Sequence, residues 1–89
     1  MSRPDDDALQ FPCPFPIKVM AESADDFANH VLALVTPHAP ELDADALELR
    51  HSSGGRYVSV TVRLVAHSRA QLDAIYQALS DDPRVIMAL

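Results

Sequence analysis

The chain has 89 residues, 48% hydrophobic and 22% charged, with 13 acidic against 7 basic side chains and a formal charge of −6. That length holds one domain near the lower limit of what a single core can fold, and the composition is globular rather than disordered. The negative field opposes a nucleic-acid backbone at long range, and no apolar run approaches the roughly 18 residues of a membrane span.

Residues 1–10 carry Asp5, Asp6 and Asp7 with little to bury, and they read as a flexible acidic tail ahead of a domain over residues 11–89. The tail lacks the apolar segment of a signal peptide. A single cysteine, Cys13, excludes an internal disulfide and a multi-cysteine zinc site, and it fits a reducing cytoplasm. No basic residue, helix start or histidine stands beside it in sequence to activate it as a nucleophile.

Prolines at positions 12, 14 and 16 predict an extended lead-in. Its Phe11 and Phe15 suit anchors on the domain better than a polyproline ligand for another protein. Ile17 to Ala21 follows as a first strand, with Pro16 at its entrance. Ser23 is placed to cap a helix whose positive start lies near Asp25 and Asp26. Ala24, Phe27, Ala28, Val31, Leu34 and Val35 recur at helical spacing, and Pro37 ends the helix near Thr36. His30 falls on the polar face and His38 in the exit loop.

After the acidic loop 41–45, Ala46 to His51 alternates, with Leu47 and Leu49 inward and Glu48 and Arg50 outward. Ser52 to Gly55 is a turn; a phosphate cradle would need to run from a strand into a helix, and this segment joins two strands. Gly54 to His67 holds the longest strict alternation. Val58, Val60, Val62 and Leu64 point one way, and Tyr57, Ser59, Thr61, Arg63 and Val65 the other. Ser68 and Gln71 make a capping-box pattern before a helix that buries Leu72, Ile75, Tyr76 and Leu79. Asp81, Asp82 and Pro83 end it, and the last strand, Val85 to Leu89, is apolar on both faces.

The order strand, helix, strand, strand, helix, strand is most simply an α+β ferredoxin-like βαββαβ sandwich, a four-stranded antiparallel sheet with both helices on one face. Its open face supplies the candidate interaction surface: Lys18, Arg50, Tyr57, Ser59, Thr61, Arg63 and Met87. Together with the two-sided last strand, this face raises self-association as a homodimer through the sheet or its edge.

The blocks FPCPFPIKVM, HAPEL, SSGGRYVSVTV and the closing RVIMAL resemble a small bacterial family of uncharacterised proteins, DUF493, also called UPF0250 or YbeD-like, over residues 11–89. The resemblance implies an ACT-like fold, named for domains that regulate amino-acid metabolism, and it brings no catalytic residues to transfer. Ala21 stands where that family usually has glycine, in the region where ACT domains often hold an amino acid.

The function expected is a non-catalytic cytoplasmic module that binds a protein partner or a small metabolite, with no cofactor, no metal and no membrane. A hydrolase of acylphosphatase type would need an arginine, backbone donors and a water-orienting asparagine. The only asparagine, Asn29, lies on the exposed side of the first helix, and Arg50, Arg56, His51 and Tyr57 are the nearest remaining catalytic candidates. RNA binding would need stacked aromatics on the central strands, where Tyr57 stands alone. His30, His38, His51 and His67 lack the spacing of a metal site.

Overall fold

The computed structural model describes residues 10–89, so all of the expected acidic tail except Gln10 lies outside the described residues. Strands β1 (Cys13–Glu22), β2 (Leu47–His51), β3 (Tyr57–Ala66) and β4 (Val85–Ala88) form one antiparallel sheet in the order β2-β3-β1-β4. Helices α1 (Phe27–Val35) and α2 (Arg69–Asp81) form the second layer. This is the expected ferredoxin-like α+β arrangement, and the core lies between the layers. Ile17, Val19 and Ala21 of β1 and Val58, Val60 and Val62 of β3 meet Phe27, Val31 and Val35 of α1 and Leu72, Ile75 and Leu79 of α2.

β1 is longer than the five residues expected, because the proline-rich lead-in belongs to the ladder. Its pairing with β3 runs without interruption from Cys13↔Ala66 to Glu22↔Tyr57. Lys18 exchanges both backbone hydrogen bonds with Leu89, at 3.0 and 2.9 Å. In an antiparallel strand, residues of like parity send their backbone groups to the same side. Pro14 and Pro16 therefore aim their missing donors away from β3, past the point where β4 has run out, and no ladder bond is lost. Phe11, Cys13 and Phe15 pack partly buried against the core.

The start of α1 also differs from expectation. Ser23 does not cap the helix: its Oγ donates to the carbonyl of Gly55 at 2.6 Å and its backbone N–H to that of Arg56 at 3.0 Å. The hydroxyl thus ties the end of β1 to the β2–β3 turn, and the helix begins only at Phe27, with Asp26 as an N-cap whose side chain makes no capping bond. Thr36–His38 continues as a single 3-10 turn that accommodates Pro37. In α2 the capping pattern holds with one change. Ser68 Oγ accepts from the Gln71 N–H, while Gln71 Oε1 accepts from the N–H of His67, one residue before the cap. Gln71 Nε2 also donates to the His38 carbonyl, joining the two helical connections.

Leu49 is not buried as expected. It stands opposite Val60 on the helix side of the sheet, yet β2 is an edge strand and 42% of the side chain stays exposed.

Two substitutions test this packing. Phe27 is fully buried, so Phe27→Ala should cost about 3–5 kcal/mol, read from the urea midpoint. Gly54 has φ +89° with open space where a Cβ would stand, so Gly54→Ala should cost only the left-handed backbone penalty, about 1–2 kcal/mol by the same measurement.

Candidate interaction surface

The alternation that buries one side of β3 turns the other side to solvent, and the strand register assembles the expected residues there. Arg50 pairs with Ser59, Ser59 with Met20, and Met20 with Met87, making one row across all four strands. Glu48, Thr61, Lys18 and Leu89 make the next row. Arg63, opposite Pro16, and Tyr57, opposite Glu22, flank the two rows. All seven candidate residues therefore share one face. With strands about 4.8 Å apart, each row spans roughly 14 Å.

The face is chemically divided. Its β4 side is apolar, with Met87 46% and Leu89 64% exposed. Its β2 and β3 side is charged. Arg63 Nη1 donates to Glu48 Oε2 at 2.9 Å, and Arg50 Nη2 approaches Glu48 Oε1 at 3.6 Å. The hydrogen bond from Arg63, then the Arg63 charge, holds the Glu48 carboxyl below its ordinary range, with Arg50 adding to the effect. Among the described residues no carboxylate pairs with Lys18. Arg56 lies over the Tyr57 ring at 5.5 Å, which keeps the aromatic at the margin.

Along the Arg50 row, toward the β2–β3 turn, is a depression of about 210 Å³ lined by Lys18, Met20, Arg50, Tyr57 and Ser59, among others. Its open-face side chains bring an ammonium, a guanidinium and two hydroxyls, a set of donors suited to an anion, while His51, opposite the buried Val58, belongs to the other face of β2. The opposite layer differs in sign: the exposed Asp25, Asp73 and Asp81 lie on or beside the helices, and Glu41, Asp43 and Asp45 on the loop before β2.

A second cluster, which sequence reasoning missed, closes the helix layer. Arg84 binds Asp26 through two hydrogen bonds, Nη2 to Oδ1 at 2.8 Å and Nη1 to Oδ2 at 3.2 Å, and its guanidinium lies 5.6 Å from the Phe27 ring centre. The hydrogen bond from Arg84 leads in holding the Asp26 carboxyl below its ordinary range. His30, expected on the solvated face, is half-buried instead, with Nε2 2.8 Å from Asp82 Oδ2, and its ring stacks on Phe27. These groups fasten the start of α1 to the end of α2. Arg84 also borders a depression of about 490 Å³, together with Glu22, Ser23 and Ile86. Its guanidinium is already engaged by Asp26, so this depression offers a ligand little free charge.

His51 lies opposite Val58, and His67 lies at the far end of β3, 3.3 Å from Glu41. Among the described residues no three His, Cys, Asp or Glu side chains gather as metal ligands, and no helix is long and apolar enough to cross a membrane. Asn29 is exposed on α1, in the layer away from Arg50 and Arg63.

The family model "Protein of unknown function (DUF493)" matches residues 6–89. A UPF0250 protein of Nitrosomonas europaea, NE1487, is 47% identical over 81 residues, covering 91% of this chain and 93% of the relative. A UPF0250 protein of Chromobacterium violaceum is 44% identical over the whole of both chains. The solution structure of protein HP0495 from H. pylori superposes with a TM-score of 0.69 at 17% identity, covering 100% of this chain and 97% of that one, a likeness of fold.

The Glu48 arrangement has a direct check. Arg63→Met should raise the Glu48 carboxyl toward its ordinary value near 4.5, followed by NMR titration of the carboxyl carbon. A depressed folded-state value stabilises above the unfolded value and loses that contribution as pH falls through the folded one. The variant should therefore lose less stability than the parent on acidification below about 4.5. Equal titration midpoints in the two proteins would mean that Arg63 does not hold Glu48 in solution.

Proposed function

Since the chain belongs to the DUF493 family, whose description assigns no activity, we propose a reading from its own surface: a non-catalytic module that binds another protein through its open sheet face. One observation carries this. The helices cover one side of the sheet, while the other side presents ordered rows of apolar and cationic groups on a chain of net charge −6. Bare sheet faces that mix apolar and charged residues suit macromolecular contact. A small metabolite is a poorer fit, because such ligands are held in concave sites that bury most of their surface. A second copy of the same face is a poorer fit too, since both surfaces would bring the cations Lys18, Arg50 and Arg63 into one interface.

The test places a photo-crosslinking residue at Thr61 on the open face and, separately, at Asp73 on α2, in the source cells. Thr61 should give a defined adduct with one protein, and Asp73 should not. The purified pair should then dissociate in the Arg63→Glu, Met87→Asp double variant and persist in Asp73→Lys. Adducts from the helix side alone, or binding indifferent to the double variant, would reject the open face as the contact surface.

A further inference from the structure

The depression at Lys18 and Arg50 points to the chemistry of the partner. We infer that it receives the carboxylate of an acidic side chain, presented by a protein segment that also lays an apolar stripe on Met20, Met87 and Leu89; this rests on the open-face reading above. Lys18 has no ion-pair partner among the described residues, and Arg50 holds Glu48 only loosely at 3.6 Å because Arg63 takes the same carboxylate at 2.9 Å. Ser59 and Tyr57 bring hydroxyls to the same hollow. A carboxylate there would meet an ammonium on one side and a guanidinium able to bind it in bidentate fashion on the other.

Three features favour a single carboxylate from a protein over other anions. The cation group is small and already contains Glu48, which matches one negative charge better than a phosphate chain. A polyanion would also meet the −6 field of the whole molecule, and the rows lack the stacked aromatics that a single-stranded nucleic acid uses. The apolar residues of β4 continue the row that contains Arg50, so an acidic group and an apolar group about one helix diameter apart can engage together.

The experiment uses the full-length 15N-labelled chain and a synthetic amphipathic peptide with a leucine stripe flanked by glutamates, at low salt. Its glutamine counterpart, inorganic phosphate and a single-stranded RNA oligomer serve as comparison probes. The expected result is amide shifts confined to Lys18, Met20, Arg50, Ser59 and their row neighbours. Affinity should fall about tenfold with the glutamine peptide, and by a similar factor in the Lys18→Gln, Arg50→Gln double variant, as two exposed ion pairs would give. Both substituted side chains are exposed, and an otherwise unchanged spectrum of the variant verifies its fold.

Equal binding of the glutamine peptide, shifts centred elsewhere, or indifference to the double variant would overturn the carboxylate assignment. Tighter binding of phosphate or RNA than of the acidic peptide would overturn it in favour of another anion. The same shifts on concentrating the chain alone would assign the hollow to its own acidic side. If the crosslinked protein still binds through the open face while the glutamate peptide fails, only the carboxylate assignment falls. If the peptide binds but crosslinks come only from the helix side, the open-face reading falls instead.

Discussion

The pairing of β1 with β3 is the constraint on which the rest of the structure depends. Ten consecutive residue pairs, from Cys13↔Ala66 to Glu22↔Tyr57, fix the face to which every side chain of the two central strands is sent. A slip of one residue would turn Val58, Val60 and Val62 to solvent and bring Ser59, Thr61 and Arg63 under the helices. Burial of the valines thus holds the register, and the register in turn lines up the cations on the other side. The core and the candidate surface are two results of one alignment.

The same alignment leaves one face of the sheet open among the described residues. Two helices of 9 and 13 residues cover one side of a four-stranded sheet, and the described residues supply no third layer. The exposed side is made compatible with water by its residues rather than by a cover. Ser59 and Thr61 at its centre are only partly exposed, flanked by the long side chains of Lys18, Arg50 and Arg63, whose stems can lie over neighbouring surface while their charged ends stay in water.

What could be read from sequence follows the range of each interaction. The period of two in β3 is local, so that strand, its two faces and the residues of the open surface were legible without coordinates. The lead-in was misread because proline signals a break, although the spacing at 12, 14 and 16 puts every missing donor on one parity. Ser23 looked like a helix cap because a hydroxyl before an apolar period usually is one, yet its partner, Gly55, is 32 residues away. The same limit hid the contacts of His30 with Asp82 and of Asp26 with Arg84, 52 and 58 residues apart. The grip of Arg63 on Glu48 needed the β2–β3 register as well as the composition of each strand.

Glu48 bears on how such a face could bind anything. A carboxylate among cations lowers the local positive charge and so weakens attraction for an acidic partner. It also holds Arg63, and more loosely Arg50, extended over the sheet, which removes part of the side-chain entropy that ordering two flexible arginines would otherwise cost on association. The two effects act on different quantities, since the charge governs encounter and the ordering governs what is lost once contact is made. On a chain of net charge −6, the cations Lys18, Arg50 and Arg63 on one face would also favour the approach of an acidic surface to that face. The balance would favour selectivity over strength: Glu48 trims the positive charge beside Lys18 and Arg50 and partly orders Arg50, while Lys18 keeps its full freedom until a partner arrives.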